Sequence, residues 1–227
     1  MLLRRPKAGF QPLNRTWENR YPRIFGFVKA ITGAEASARI LSFGCSTGEE
    51  VVTLRRLFPS AVIRGLDINP GNIEICRKRL RRAPDPAISF GRARSADLEP
   101  PESYDVIFCM AVLRDSRLTD CGLQRCDRFI RFEDFAEIVG GFERCLKPGG
   151  LLVIRHSNFR LCDAPAGAAF EVLLSLPIPP ARFTPIFGPD NRLMPGVSYP
   201  DTVFRKTSTR RTAEGLSQEA QACARSR

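Results

Sequence analysis

Short apolar runs alternate along the chain with longer stretches whose apolar residues recur every three or four positions, as in helices that cover a sheet. Residues 39–43 read as a strand, and 48–58 as a helix turning Val51, Val52, Leu54 and Leu57 inward. Residues 61–66 form a second strand that ends at Asp67. Asn69 and Pro70 then supply an N-cap and a first-turn proline for a helix to about Arg82. A third strand is expected at 88–90 and a buried fourth at 104–110. Phe132, Phe135, Ile138, Val139, Phe142 and Leu146 mark one face of a long helix. Lys147-Pro148-Gly149-Gly150 stops it before a fifth strand at 151–154. Strands separated by helical stretches build βαβ units. The expected class is therefore α/β, a doubly wound and mostly parallel sheet of about seven strands with helices on both faces.

The flanks are less regular. Residues 17–31 predict short helices packed on the domain, 164–176 a helix, and 181–187 and 197–205 two more strands. Residues 1–15 read as a basic flexible segment, 16–206 as a single domain, and 207–227 as a disordered tail without hydrophobic periodicity.

Charge adds to this picture at the ends of the chain. The formal net charge is +11, yet residues 1–39 hold 8 Lys/Arg against 2 Asp/Glu and residues 205–227 hold 6 against 2. The stretch between is nearly neutral. Basic flanks can attract nucleic acid at low salt, or can be solvated tails. Arg77, Lys78, Arg79, Arg81 and Arg82 read as a solvated helix face. Pro6, Lys7, Gly9 and Gln11 interrupt any apolar region behind Met1, so no signal peptide is expected, and no apolar run is long enough for a membrane span. The eight cysteines form no CxxC pair. Cys121 and Cys126 have no second half-site, and the chain has one histidine. No metal site and a reducing, cytoplasmic setting are the expectations.

Ile40-Leu41-Ser42-Phe43-Gly44-Cys45-Ser46-Thr47-Gly48-Glu49-Glu50 carries the chemistry. A strand runs into a glycine-flanked turn and then a helix. Glycines let a ligand approach the backbone, and the helix N-terminus offers N–H groups. The turn is G-x-S-x-G, not the G-x-G-x-x-G of dinucleotide sites, and Glu49-Glu50 would repel a pyrophosphate. A cofactor without phosphates follows. Asp67, about twenty residues on, ends the second strand where a carboxylate accepts from ribose hydroxyls. It could instead begin the Asp-x-Asn-Pro turn. Its register with the glycine loop favours the ribose role.

These residues resemble those of class I S-adenosylmethionine-dependent methyltransferases. Residues 40–50 are similar to the first motif, in the G-C-S-T-G-E-E form also seen in chemotaxis receptor methyltransferases. Gly65-Leu66-Asp67-Ile68-Asn69 resembles the ribose-binding motif, and Ser95-Ala96-Asp97-Leu98 the adenine-contacting segment. Residues 104–113 resemble the fourth-strand motif facing the methionine part, and Leu146-Lys147-Pro148-Gly149-Gly150-Leu151 the turn before the fifth strand. Together they span residues 39–156. The resemblance implies a Rossmann-like fold and S-adenosyl-L-methionine as cofactor. It implies contacts from Gly44, Cys45, Ser46, Gly48, Glu49, Asp67, Ile68, Ala96, Asp97, Leu98, Cys109 and Met110. Ser42 stands where many members carry an acidic residue and Ser46 where many carry glycine, which leaves Glu49 as the candidate contact for the methionine amino group. The likeness to chemotaxis enzymes stops at this motif, so glutamyl methylation of a receptor is not implied.

On the acceptor side, His156 follows the fifth strand and is the candidate base, unless it is a satisfied structural histidine. Arg155 could bind an anionic substrate or pair with a carboxylate. No Asn/Asp-Pro-Pro-aromatic or Pro-Cys sequence follows the fourth strand, which disfavours amino methylation of adenine or glutamine and C5 methylation of cytosine. The acceptor expected is a small molecule or metabolite, bound through elements at 16–31 and 157–206. A ribosomal or RNA target reached through the basic termini is an alternative, and a non-catalytic cofactor-binding protein is another.

Overall fold

A computed structural model describes residues 16–33, 37–120, 122–178 and 184–207. Helix α1 (Pro22–Thr32) is followed by β1 (Arg39–Phe43), α2 (Glu49–Leu57), β2 (Val62–Asp67), α3 (Pro70–Arg82) and β3 (Ile88–Arg92). Then come β4 (Tyr104–Met110), the short α4 (Arg117–Asp120), α5 (Phe132–Cys145), β5 (Leu146–Arg155), β6 (Phe170–Ser175) and β7 (Asp201–Lys206). The seven strands form one sheet in the order β3-β2-β1-β4-β5-β7-β6, parallel from β3 to β5, with β7 antiparallel to both of its neighbours. The expected doubly wound α/β sheet is present.

Alternation along the strands sends side chains into two apolar layers. Leu41, Ile107, Leu152 and Ile154 pack against Phe135, Val139 and Phe142 of α5. Ile40, Ile63, Val106 and Val153 pack against Phe25 and Val28 of α1, Val51 and Leu54 of α2, and Ile73 and Cys76 of α3. Because both faces are covered, the central strands are near-continuous apolar runs. The capping expected for α3 is formed: the Asn69 side chain accepts from the Gly71 N–H at 2.9 Å with Pro70 at the first turn, and Arg79, Arg81 and Arg82 meet the negative end of the helix dipole.

Three expectations on the flanks change. The helix predicted at 164–176 is a 3-10 turn at Pro165–Ala169 followed by β6. Phe170, Leu173 and Leu174 have helical spacing, but Phe170 to Ser175 pair with Lys206 to Asp201 of β7, and that pairing outweighs local pattern. Of the strand predicted at 181–187, residues 181–183 lie outside the described set, and Phe187 forms only an isolated bridge with Leu193. The strand predicted at 197–205 begins at Asp201, because Pro200 has no N–H for the ladder and its carbonyl is taken by Leu176 at 2.8 Å. Residues 1–15, most of the predicted tail, Cys121 and Phe183 also lie outside the described residues. No helix among the described residues is long and apolar enough to cross a membrane.

Candidate functional site at the carboxyl ends of the strands

The loop after β1 is built from left-handed turns. Gly44 (φ 74°), Ser46 (φ 50°) and Gly48 (φ 96°) all adopt positive φ, and Gly48 is the N-cap of α2. A Cβ at Gly44 would run into the Val112 side chain, so only glycine lets the loop pass beneath the segment after β4. The Gly44 and Cys45 N–H groups both donate to the Leu66 carbonyl, at 2.7 and 2.9 Å. Gly48 provides no side-chain cap for α2, and the Ser46 hydroxyl is shielded without a hydrogen-bond partner. Cys45 is buried, and its thiol and that of Cys76 of α3 both donate to the Ser46 carbonyl, at 3.8 and 3.3 Å.

Asp67 is buried and already well occupied. Its Oδ2 accepts the Ser46 N–H at 2.8 Å, and its Oδ1 accepts the Asn69 N–H at 2.8 Å and Asn72 Nδ2 at 3.1 Å. A carboxylate has about four lone-pair directions, so about one remains. Asp67 thus performs the turn-starting role in full and also locks the glycine loop to the end of β2.

The two glutamates diverge. Glu49 turns to α3, where Arg79 Nη2 contacts its Oε1 at 2.8 Å, and it accepts the Thr47 hydroxyl at 2.6 Å. Burial raises its carboxyl, but these bonds outweigh that and leave it below the usual range. Glu50 turns back to the sheet, where its Oε1 accepts the Ser42 hydroxyl at 2.7 Å. Burial pushes its carboxyl up to about 7, against the Ser42 bond and the charge of Arg20. At the end of β1, Ser42 thus holds a carboxyl group that comes from the next helix. Sequence reasoning missed Glu50, although its helical phase with Leu54 and Leu57 marks it as inward.

The other predicted contacts are dispersed. Ile68 is 40% exposed beside the Asp67 turn. Ala96 faces α5, where a Cβ on Gly141 would lie 3.8 Å from its own, and Leu98 is 96% exposed. Asp97 accepts the Ser95 hydroxyl at 2.7 Å, and Arg144 in the last turn of α5 binds the Ala96, Asp97 and Glu99 carbonyls. Cys109 and Met110 point to opposite faces. Cys109 is fully buried on the α5 side, which raises its thiol well above the ordinary value, and Met110 is on the α2 side.

Beside this crevice the ends of β4 and β5 adopt left-handed backbone at Ala111 (φ 59°) and His156 (φ 55°), and the Ala111 N–H donates to the Arg155 carbonyl at 2.8 Å. Non-glycine residues in that region are costly and cluster at functional sites. The His156 ring is 6.1 Å from that of Tyr21, whose carbonyl accepts from Ile24 and Phe25 at the start of α1. Arg155 is buried and pairs with no carboxylate among the described residues. It donates to the Leu176 and Pro177 carbonyls at 2.7 and 3.1 Å and to the Thr202 hydroxyl at 3.1 Å. Tyr21 lies in the substrate-side segment expected at 16–31, where its aromatic ring reads as core or lid, and it meets His156 once α1 packs on the sheet.

Residues 34–174 match the model of a methyltransferase-domain family. The trans-aconitate 2-methyltransferase of Methylobacterium nodulans is 30% identical over 120 residues, covering 53% of this chain and 38% of that protein. Its counterpart in Methylobacterium radiotolerans is 27% identical over 121 residues, with coverage of 53% and 38%. The match therefore spans well under half of either relative's length. Among solved structures, the YcgJ protein of Bacillus subtilis covers 83% of this chain and 100% of its own at a TM-score of 0.52 and 15% identity, a likeness of fold.

Proposed function

The chain belongs to the methyltransferase-domain family, and from that premise we propose that it is an S-adenosyl-L-methionine-dependent methyltransferase acting on a small-molecule acceptor. The observation that carries this reading is the loop from Gly44 to Gly48. It has three left-handed residues, a shielded Ser46 hydroxyl without a partner and an uncapped α2 N-terminus, all at the carboxyl end of β1. Ligands of open α/β sheets bind in that crevice.

In this reading the loop backbone holds the cofactor, and the remaining lone pair of Asp67 takes a ribose hydroxyl. Glu50, rather than Glu49, receives the methionine amino group, since Glu49 is engaged by Arg79. Ile68 offers apolar surface to the adenine. Ala96, Asp97 and Leu98 follow β3, whose end is tied to the Asp67 carbonyl by the Ala93 N–H at 3.0 Å, and in this reading they would flank the adenine, while Cys109 supports the site from the core. When bound, the cofactor supplies a methyl group on a sulfonium, whose departure as a neutral thioether needs little help from the protein. What the chain contributes is alignment and exclusion of water. The left-handed turns at Ala111 and His156 set the acceptor side next to the glycine loop. A hydroxyl or amine acceptor could pass its proton to His156.

Calorimetric titration with S-adenosylhomocysteine tests the reading, with NAD as control. Micromolar binding of the former alone, weakened at least tenfold in Glu50→Gln and in Asp67→Ala, is the expected result. Equal binding of NAD, or no binding of S-adenosylhomocysteine to a folded wild-type protein, would overturn it.

A further inference from the structure

Resting on that reading, we propose that the acceptor carries an oxyanion, a carboxylate or a phosphate, which is bound between Arg20, Tyr21, Arg114 and His156. The Tyr21 hydroxyl is shielded from solvent and has no hydrogen-bond partner among the described residues. A buried hydroxyl left so costs free energy that a ligand can return. Its surroundings are cationic. The Arg20 guanidinium is 5.1 Å over the Tyr21 ring and 4.6 Å over that of Trp17. Burial raises the hydroxyl above its ordinary value; the charges of Arg20, Arg114 and Arg155 act in the opposite direction, and that of Glu50 acts with burial.

The fold fixes the charge of Arg155 and the backbone that carries Arg114, whose Nη2 donates to the Thr119 hydroxyl at 3.2 Å. Arg155 is buried and its three hydrogen bonds go to neutral oxygens, so they orient its charge without cancelling it. A buried guanidinium in that position raises the positive potential at the end of β5. Arg114 is bracketed by Asn158, which donates its N–H to the Leu113 carbonyl at 3.0 Å and accepts the Asp115 N–H on its side-chain oxygen at 2.8 Å. Asn158 is fully buried and also donates to the Pro185 carbonyl at 2.7 Å. It therefore acts as a positioning residue that sets the backbone on both sides of Arg114. Tyr21 is held as well, because the Asn19 N–H donates to Thr53 of α2 at 2.8 Å. Pre-set donors and a fixed positive field suit an anion better than a neutral or cationic acceptor. An ionised carboxylate that is itself methylated has no proton to give up, and His156 then serves as a contact and not as a base.

Trp17 is the only tryptophan in the chain, is 53% exposed, and stacks under Arg20, so its fluorescence reports on this site. Binding of S-adenosylhomocysteine is measured first by calorimetry. The saturated protein is then titrated at constant ionic strength with tricarballylate, with glycerol phosphate and with choline. The expected result is a saturable change with tricarballylate or glycerol phosphate, and which of the two responds identifies the oxyanion. Arg114→Gln should weaken anion binding at least tenfold and by more than it weakens S-adenosylhomocysteine. Arg81→Gln, on the exposed face of α3, should do neither. Asn158→Ser should weaken the anion less than Arg114→Gln does. Cofactor binding without a saturable response to either anion overturns the inference and leaves the methyltransferase reading standing. So does a response to choline alone, or an equal effect of Arg81→Gln. Failure to bind S-adenosylhomocysteine at all removes both.

Discussion

A carboxyl that burial pushes up to about 7 is partly protonated at neutral pH, so Glu50 links the stability of the site to acidity. Its ordinary value is 4.5, and the folded value is higher, so the folded state binds the proton more tightly than the unfolded chain does. The corresponding stability is fully present below about 4.5 and is lost as pH rises through about 7. The loss is on the order of 3 kcal/mol at most. Denaturant midpoints measured between pH 5 and 8 should fall more steeply in the wild type than in Glu50→Gln, and parallel slopes would refute the assignment. Gly44 makes a second point at this scale. Alanine there combines a left-handed backbone with a clash against Val112, and the expected cost is roughly 1–3 kcal/mol. Adding Val112→Ala should recover the clash but not the backbone cost. A double-mutant cycle separates the two, and strict additivity would mean the side chains do not meet.

At the scale of elements, buried cations tie the late strands to the rest of the sheet. Lys206 at the end of β7 donates from Nζ to the Glu143 carbonyl at 2.6 Å and the Leu146 carbonyl at 3.0 Å, satisfying the end of α5. Lys206→Met would leave those carbonyls without this donor, with an expected loss of about 1–3 kcal/mol in equilibrium unfolding. The same elements show where sequence reading works. Strands β1 to β5 and helices α2, α3 and α5 were legible because each buries a face whose period is local to it. Residues 170–175 were not, because their helical spacing is overruled by pairing with β7, a partner about thirty residues away in sequence. The candidate site divides in the same way. Gly44 and Gly48 were legible as turn positions that need positive φ, whereas Asp67, read for a ribose hydroxyl, also turns out to hold the Asn69 turn and the glycine loop. The choice between Glu49 and Glu50 depended on which neighbour each meets, Arg79 of α3 or Ser42 of β1. The repulsion of a pyrophosphate, argued from two adjacent acids, is correspondingly weaker, since Arg79 counters Glu49.

Across the whole molecule, the sheet order places the ends of β1, β2, β4 and β5 side by side, and hydrogen bonds between their loops make one unit of them. Leu66 and Asp67 hold the glycine loop, the Arg155 carbonyl holds Ala111, and Asn158 spans the segments after β4 and β5. A ligand that orders one loop should therefore quiet the others, while β6, two strands beyond β5 and joined to this network only past its end where Leu176 meets Arg155, should not respond. Binding at a hundredfold excess over Kd stabilises the native state by about 2.7 kcal/mol, so exchange that proceeds through global unfolding slows everywhere by roughly a hundredfold. The local effect must be read from amides that exchange faster than that limit. Hydrogen exchange with and without S-adenosylhomocysteine should show slowing of fast amides in residues 44–50, 67–72 and 110–115, with those of 170–175 unchanged. Slowing confined to 44–50 would mean that the loops respond singly and that the hydrogen bonds between them do not transmit order.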